Sequence, residues 1–528
     1  MQLATQTSPR PSSVDWSARN LVLIALLTAF AFSLMGYHPG LEDDSFYLAA
    51  VKRNLNPALF SYDSDFFRIQ FQATIFDKLV ALSVRLTHLP VAWVILLWQL
   101  TAIFFLLHGC WRISRRCFLR PEAQWAATAL VAVLLTLPVT GIAINLMDQY
   151  LHPRALASAA IVAAIVAILD RRLWLAGVLL VVAFSVHALM TIFGFTFCVF
   201  LDLALRGTRV RQVSPMPVAA ALLFPLGWMF KPASDAWRQA ASTRGFYYLS
   251  QWEWYEWLGL FGPLILLFVG RRFLRARMDL MENTRLLPLV SCLLFYGIFH
   301  TVVGLALMLP TSLERIRPFE PMRYLHLLYM FFFLIVGGLL GQSVIRRRVY
   351  RWGLLFLPLS AGMYYAQRQM YPATPHLELP FVRSDNGWMK AFAWIRQNTP
   401  VDSVFAVDPH YGTLPDEDYH GFRALAERSV LADYEKDGGM ACRVPQLAPR
   451  WQKEVTALKG WRNFQLADFQ RLNDDFGVTW IVLSRQDAQF PVPDARDVTC
   501  PYTNQEVKVC RIYEVTRASV RTNAPPSP

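Results

Sequence analysis

Long apolar runs separated by short polar stretches occupy most of the first 370 residues. The first run, Asn20–Tyr37, has about the length that crosses a bilayer, and no small-residue cleavage pattern follows it. We therefore interpret it as a retained signal-anchor and first transmembrane helix. Ten further runs lie at approximately residues 89–111, 122–145, 154–169, 173–186, 188–205, 215–230, 254–269, 286–308, 322–340 and 352–365.

This pattern predicts a polytopic α-helical membrane protein with about 11 transmembrane helices between residues 20 and 370, after an N-terminal tail at 1–19. The short pair of runs around His187 could instead form one long kinked helix plus a half-helix. The first loop, residues 38–87, is long and carries apolar residues at helical spacing. It is therefore expected to form amphipathic helices on the membrane surface.

A different pattern begins near residue 371. The stretch WMKAFAWIRQNTP has amphipathic helical spacing, whereas DSVFAVDP, FGVTWIVLS and VKVCRIYEV have the composition of strands. Alternating helices and strands predict a small α/β domain over residues 371–516. The remaining residues, 517–528, are expected to be a disordered tail.

Arginine clusters predict the orientation, because short cytoplasmic loops are enriched in Lys and Arg. With a cytoplasmic N-terminus, the clusters at residues 112–120, 171–172, 206–211, 271–285 and 346–351 all fall in cytoplasmic loops. An odd number of spans then places the C-terminal domain outside the cytoplasm, where disulfides form. These clusters also explain much of the formal net charge of +13, so no nucleic-acid partner is expected.

Three consecutive carboxylates, Glu42, Asp43 and Asp44, follow the first apolar run. Charged groups at the edge of hydrocarbon often mark functional sites. A carboxylate there suits a general base or a metal ligand. The structural alternative is that these residues interact with the dipole of a helix starting at SFYLAAVKR, although one capping carboxylate would be sufficient.

The arrangement resembles the GT-C superfamily of integral-membrane glycosyltransferases. The shared motif is short, Asp43-Asp44 with Glu42 in a long outer loop, but the architecture matches over nearly the whole chain. The resemblance implies a transferase of the bacterial cytoplasmic membrane that moves a hexosyl or pentosyl group from a polyprenyl-phosphate donor. The acceptor would be an envelope glycan, lipid or protein at the outer face, and membrane lipids would surround the enzyme.

In such enzymes the acidic residue of the first loop is implied to deprotonate the acceptor, with inversion at the sugar, or to orient it through a divalent metal, Mg or Mn. Asp43 or Asp44 would be this base, and Glu42 is the third candidate. The tryptophan-rich signature of oligosaccharyltransferases is not evident, so transfer to asparagine is not expected.

A lipid-phosphate donor also requires cations near the outer interface. The candidate substrate-binding residues are Asp148, His152, Arg154, His187, Arg315, Arg317, Arg323 and His326. The alternative for each arginine is interfacial snorkelling, and for His187 or His300 it is packing within an apolar span.

The C-terminal region offers two further features. Cys500 and Cys510 flank a predicted hairpin turn at Thr503-Asn504 and are expected to form a disulfide. The acidic and histidine residues between Asp408 and His420 have no recognised metal-ligand spacing and are interpreted as loop acidity. Two other functions are open for the whole chain: a transporter or flippase for an envelope precursor, and a non-catalytic membrane scaffold.

Overall fold

The computed structural model describes residues 17–206, 230–276, 284–382, 384–415, 417–489 and 498–513. In the first half, the helices are α1 (Ala18–Met35), α2 (Asp44–Leu55), α3 (Arg68–Ala73), α4 (Phe76–Thr87), α5 (Val91–Cys117), α6 (Pro121–Val133), α7 (Pro153–Leu169), α8 (Leu173–Val186) and α9 (Ala188–Arg206). They are followed by α10 (Asp235–Ser242), α11 (Trp254–Arg275), α12 (Leu286–Met308), α13 (Tyr324–Leu340) and α14 (Val349–Met370). The C-terminal helices are α15 (Gly387–Asn398), α16 (Phe422–Ala426), α17 (Lys436–Arg443), α18 (Ala448–Ala457) and α19 (Leu466–Phe476).

In the described residues, six helical segments are long and apolar enough to cross a membrane. They are Ala18–Met35, Val91–Cys117, Ala188–Arg206, Trp254–Arg275, Leu286–Met308 and Pro321–Ile345. Two shorter apolar helices, α7 and α8, lie among them. Exposed apolar side chains such as Leu26, Trp174 and Leu357 cover the outside of the bundle. These features are typical of a membrane-embedded protein.

Most of the predicted apolar runs coincide with helices. The pair around His187 forms two separate helices, α8 and α9, with His187 between them. The run at 122–145 differs from its prediction as one span, because α6 ends at Val133 and a short hairpin follows. That hairpin pairs β1 (Pro138–Val139) with β2 (Ile144–Asn145) around Gly141, which has φ +65°. Proline and left-handed glycine both favour a turn over helix continuation. The predicted run at 215–230 lies almost entirely outside the described residues.

Small residues allow the central helices to approach closely. A Cβ at Gly109 of α5 would lie 2.5 Å from Val162 of α7, and one at Gly337 of α13 would lie 2.7 Å from the backbone of Ala126 in α6. Close backbone approach of this kind is how helices pack where lipid supplies no hydrophobic driving force. The resulting core runs through α1, α5, α6, α7, α9, α12 and α13.

The C-terminal region contains a five-stranded mixed sheet. Its strands are β3 (Val404–Val407), β4 (Ser429–Val430), β5 (Trp480–Ser484), β6 (Val498–Thr503) and β7 (Val507–Ile512). Their order is β4-β3-β5-β7-β6, with β3 parallel to both β4 and β5, and β7 antiparallel to β5 and β6. Cys500 and Cys510 form the predicted disulfide across β6 and β7.

The first loop packs directly against this C-terminal region. Gly421 approaches α2 so closely that a Cβ there would lie 2.2 Å from the Cβ of Ser45. One apolar core contains Phe46 and Phe66 of the first loop, Trp237 of α10, and Trp451 of α18. The helices predicted for the membrane surface are therefore covered in part by the C-terminal residues, and a site can form between them.

Candidate functional site

A charged cavity of about 250 Å³ lies where the first loop, the connections between membrane helices and the C-terminal region meet. Its charged lining residues are Glu42, Asp43, Arg244, Glu320, Arg323, Glu435, Lys436 and Arg443. Aromatic and apolar residues complete the wall, among them Tyr47, Ile142, Tyr247 and Tyr419. Five separate parts of the chain thus converge on one small volume, which is the usual setting of a binding or catalytic site.

The backbone around this cavity is unusual. Glu42, Ala143, Glu320 and Tyr419 all line it, and all have left-handed φ values of 47°, 47°, 47° and 69°. Residues other than glycine adopt this region at an energetic cost, and such residues cluster at functional sites. The Glu42 conformation is fixed by its amide, which donates to the carbonyl of Tyr419 at 2.9 Å.

Asp43 points into the cavity with 34% of its side chain exposed. The Nζ atom of Lys436 lies 3.1 Å from Asp43 Oδ1 and 3.2 Å from Glu42 Oε2. Burial alone would raise the pKa of Asp43, but the charges of Lys436 and Arg244, with a smaller contribution from Arg443, hold it well below its usual value. Asp43 is therefore a carboxylate at neutral pH. The same pairing raises the pKa of Lys436 against the opposing effect of its burial.

Asp44 has a different environment, although it is the next residue. Its carboxylate is 4% exposed and its Oδ2 atom accepts a hydrogen bond from the Gly40 amide at 2.6 Å. Burial raises the pKa of Asp44 to about 7, and the Gly40 hydrogen bond opposes this rise. Asp44 is not among the residues lining the cavity. Asp44 is the first residue of α2, and its carboxylate closes the turn that precedes this helix.

Three arginines line the cavity, Arg244, Arg323 and Arg443. Arg323 makes a bidentate ion pair with Glu320, at 2.6 and 2.8 Å, and Arg443 contacts the same carboxylate at 3.1 Å. Arg244 lies beside Gly439, where a Cβ would approach its Nη2 atom to 2.7 Å. Burial would raise the pKa of Glu320, but Arg323 and Arg443 lower it overall. Together with Lys436, four cations line the cavity opposite four carboxylates, Glu42, Asp43, Glu320 and Glu435.

A second polar group lies behind Tyr47, which lines the cavity. Asp148 Oδ1 accepts a hydrogen bond from Arg154 Nη2 at 2.5 Å, and His152 Nδ1 accepts one from the Arg154 amide at 2.8 Å. The His152 ring lies 4.6 Å from the ring of Tyr47 and 6.0 Å from that of His187. Burial and the nearby Arg154 lower the pKa of His152, so its imidazole is neutral. Four of the candidate substrate-binding residues, Asp148, His152, Arg154 and His187, therefore lie in one group.

The remaining predicted cations do not all join the cavity. Arg323 lines it, whereas Arg315 donates to the carbonyl of Pro232 at 2.8 Å and Arg317 stacks 5.0 Å from the Tyr248 ring centroid. His326 is fully buried on α13, with Nε2 2.9 Å from the carbonyl oxygen of Leu146. His300 contacts Thr196 Oγ1 at 2.9 Å within the helical bundle, as expected for a packing histidine.

The three adjacent carboxylates do not converge as metal ligands. Glu42 and Asp43 share the ammonium of Lys436, and Asp44 is turned toward Gly40. Across the described ranges, no group of three or more His, Cys, Asp or Glu side chains has an arrangement that could hold a metal ion.

Several cavity residues were not among the sequence candidates: Arg244, Glu320, Glu435, Lys436 and Arg443. Three of these belong to the C-terminal region, nearly 400 positions after Asp43, and their sequence context resembles that of ordinary surface charges. Arg244 directly precedes the aromatic stretch GFYYLSQWEWYEW, and no local pattern distinguishes it from an interfacial arginine. Only the fold brings these residues to the first loop.

An apolar groove of about 490 Å³ runs along the bundle between α4, α5, α7 and α8. Alanines 159, 160, 163 and 167 of α7 line its length. One end contains Trp98, Leu156 and Val186, and the other contains Arg112 and Arg172. Leu156 is two residues from Arg154, so the first end of the groove lies next to the polar group behind Tyr47.

Buried ion pairs attach the acidic loop to the C-terminal region. His38 Nδ1 lies 2.7 Å from Glu378 Oε1, and His420 Nε2 lies 3.0 Å from the same oxygen. His420 Nδ1 is also 3.2 Å from Glu417 Oε1. These residues flank two backbone contacts, Tyr37 with Leu377 and Leu41 with His420. The segment that directly precedes the acidic triplet is thereby attached to the C-terminal region.

Residues 386–453 match a family model described as a domain of unknown function (DUF6798). This segment runs from the start of α15 into α18 and contributes Lys436 and Arg443 to the cavity. No curated protein matches the chain significantly.

Proposed function

We propose that this protein is a membrane glycosyltransferase that moves a sugar from a polyprenyl-phosphate donor to an acceptor, with Asp43 as the base. The observation that carries this proposal is an ionised Asp43 exposed in a small cavity together with Arg244, Arg323, Lys436 and Arg443. A transferase of this type needs one carboxylate for the acceptor proton and several cations for the leaving phosphate. A GT-C-like arrangement in the bacterial cytoplasmic membrane, with the C-terminal region on the outer side, is part of the same proposal.

The reaction is a single displacement. The acceptor hydroxyl gives its proton to Asp43 while its oxygen attacks the anomeric carbon from the face opposite the phosphate. The bond between that carbon and the phosphate oxygen breaks, and the electron pair remains on the phosphate. Arg244 and Arg443 are positioned to stabilise this charge, because both guanidinium groups border the cavity that contains Asp43.

Lys436 has a second role in this scheme. In the structure it neutralises Asp43 and Glu42, which lowers the proton affinity of Asp43. A phosphate that binds beside Lys436 competes for its ammonium and brings further negative charge, so the pKa of Asp43 rises toward the value of an effective base. The base would thus be strengthened when the donor is present.

The membrane groove supports a lipid-linked donor. It is lined mainly by apolar side chains, and its alanines leave room for one extended hydrocarbon chain. Residues 156–170 of α7, which border it, span about 20 Å. Its first end lies beside Arg154, whose buried Nε and Nη1 atoms have no hydrogen-bond partner among the described residues. A chain in this groove would bring its phosphate to the polar groups behind Tyr47.

The test compares Asp43→Asn with Asp44→Asn in a deletion strain, at equal membrane levels of each protein. Envelope glycans and glycolipids are analysed by mass spectrometry. We expect one sugar mass to disappear in the deletion strain, to return with wild type and with Asp44→Asn, and to stay absent with Asp43→Asn. Asp44→Asn is a matched control because the amide oxygen still accepts the Gly40 hydrogen bond.

The competing functions give different results. A scaffold predicts that Asp43→Asn restores everything that wild type restores. A flippase predicts that the lipid-linked precursor accumulates on the cytoplasmic side of the deletion strain, and that purified protein transfers no sugar from a synthetic polyprenyl-phosphate sugar. Either result would remove Asp43 from the role of base.

A further inference from the structure

A second cavity, of about 820 Å³, lies in the C-terminal region on the other side of the segment Asp433–Lys436 from the Asp43 cavity. Tyr434 lines the second cavity, whereas Glu435 and Lys436 line the first. The second cavity is also lined by polar and charged residues, among them Asp408, His410, Lys459, Arg462 and Asn463. None of these belongs to the site proposed for sugar transfer.

The position of this cavity follows from the sheet topology. The chain runs from β3 to β4 on one side, and then crosses to β5 on the other side of β3. The carboxyl ends of β3 and β5 therefore border a topological switch point, where open parallel sheets usually bind ligands. Asp408 and Pro409, which directly follow β3, line the cavity, and Ala488, shortly after β5, donates its amide to the Arg462 carbonyl at 2.8 Å.

The turn after β3 does not suit a nucleotide phosphate. Phosphate sites at this position use backbone N–H groups at a helix start. Here Pro409 has no N–H group, the His410 amide is bonded to Asp408 Oδ1 at 2.9 Å, and Asp408 adds negative charge. A carboxylate at this position instead accepts hydrogen bonds from hydroxyl groups.

The rest of the cavity lining includes both aromatic rings and positively charged side chains. The Tyr434 and His410 rings lie 4.5 Å apart and provide flat apolar faces of the kind on which sugar rings pack. Lys459 and Arg462 are exposed at the cavity, and the Arg462 side chain is 55% exposed. The cavity therefore combines aromatic faces with two exposed cations, and Arg462 Nε lies 3.9 Å from Asp408 Oδ2.

We propose that this cavity binds an anionic saccharide, with sugar rings against Tyr434 and His410 and a carboxylate or phosphate substituent at Lys459 and Arg462. Its volume is within the range of about 300–1,000 Å³ usual for ligand pockets. The proposal does not depend on sugar transfer at Asp43, since the cavity is lined by other residues. It gives the C-terminal region a recognition function of its own.

The experiment measures binding to the full-length protein in nanodiscs of zwitterionic lipid, by isothermal titration calorimetry. The probes are trigalacturonic acid, a mannose trisaccharide carrying a 6-phosphate, neutral maltotriose, and AMP. The variant Lys459→Gln plus Arg462→Gln removes the two cations, and Lys453→Gln plus Arg471→Gln is the matched control on the neighbouring helices α18 and α19. The variant Asp43→Asn alters the transfer site alone, so it shows whether saccharide binding depends on that site.

We expect at least one anionic saccharide to bind at least tenfold more tightly than maltotriose, and its affinity to fall at least tenfold in the Lys459 and Arg462 variant. The control pair and Asp43→Asn should keep wild-type affinity. Tighter binding of the uronic acid or of the phosphate identifies which anion the site takes. No binding of either anionic probe at millimolar concentration, equal binding of maltotriose, tighter binding of AMP, or an equal loss in the control pair would each overturn the proposal.

Discussion

The Nζ atom of Lys436 lies 3.1 Å from Asp43 Oδ1, although the two residues are 393 positions apart in the chain. This contact joins the start of α17 to the residue that immediately precedes α2. The carboxylate proposed as base therefore has its acidity set by the C-terminal region. If the C-terminal region moved away from the first loop, the carboxylates of Glu42 and Asp43 would lose the ammonium of Lys436 that they share.

Replacement of Lys436 should change the pH dependence of transfer. Lys436 holds the pKa of Asp43 below its usual value, so Lys436→Met should raise that pKa. The ionised base would then be lost at a higher pH, and the acidic limb of the rate profile should move to higher pH, as expected when an opposite charge is removed. The measurement is the initial rate of sugar transfer against pH in proteoliposomes.

Two controls accompany this variant. Lys436→Arg keeps the positive charge and should leave the acidic limb near its wild-type position. Lys390→Met removes an exposed lysine of α15 that pairs with Asp385, and should change nothing. An unchanged acidic limb in Lys436→Met, with activity retained, would show that the titrating base is not Asp43.

Arg244 is expected to contribute to donor binding. A Cβ at residue 439 would press against the Arg244 guanidinium, at 2.7 Å from Nη2, and this flexible group can move away. Gly439→Ala should therefore displace the guanidinium with little loss of stability, and raise KM for the donor. Arg244→Gln should lower kcat/KM by about 10- to 100-fold, because one charge-assisted hydrogen bond to phosphate contributes about 1.5–3 kcal/mol.

The comparison for these variants is Gly270→Ala in α11, where a Cβ has no neighbour within 4 Å. It should bind and turn over the donor as wild type does. Equal KM values for Gly439→Ala and Gly270→Ala would mean that Arg244 does not contact the donor.

The apolar spans were predictable because their signal is local. The run predicted at 286–308 coincides with α12, and the disulfide follows from two cysteines flanking a hairpin turn. The hairpin within the run at 122–145 was not predictable, because hydropathy alone does not distinguish a continuing helix from a buried hairpin. Pro138 and Gly141 were the available indications of a turn.

The candidate site was only partly predictable, for a physical reason. The triplet Glu42, Asp43 and Asp44 could be selected from its position at the end of an apolar run, but the difference between Asp43 and Asp44 depends on which way a single turn directs each carboxylate. Lys436 and Arg443 have no local pattern that distinguishes them from surface charges. Their role depends on contacts between distant parts of the chain, which hydrophobic periodicity does not encode.

The disulfide provides a test of the predicted sidedness. Cys500 and Cys510 are joined, whereas Cys110, Cys117, Cys198, Cys292 and Cys442 are free and buried. In membranes alkylated before lysis, we expect unreduced trypsin digests to contain linked peptides ending at Lys508 and Arg511, because the C-terminal region is predicted to face an oxidising compartment. Mass spectrometry with and without reductant measures this. Alkylated Cys500 and Cys510 in the unreduced sample would indicate a reducing, cytoplasmic location.

The last prediction concerns Glu378, which lies buried between His38 and His420. These histidines lower the pKa of Glu378 to about 2 despite its burial, so its stabilising effect is present above the unfolded value of about 4.3 and is lost as pH falls from there toward 2. Glu378 and Glu417 raise the pKa of His420, which stabilises the fold below about 6.5 and loses this effect at alkaline pH. The contact should therefore be strongest between about pH 4.5 and 6.5.

Glu378→Gln should reduce this pH dependence and destabilise the docked C-terminal region by about 3 kcal/mol, because it leaves His38 without its buried carboxylate and His420 with Glu417 alone. Thermal unfolding and limited proteolysis of the purified protein, compared at pH 5.5 and 8.5, measure both effects. Asp385→Asn is the control, since the Asp385 side chain is fully exposed and pairs only at the surface with Lys390. If Glu378→Gln and Asp385→Asn have the same stability at both pH values, the buried histidine and glutamate cluster does not hold the acidic loop in place, and the geometry of Asp43 must be maintained by the Lys436 contact and the backbone pairing alone.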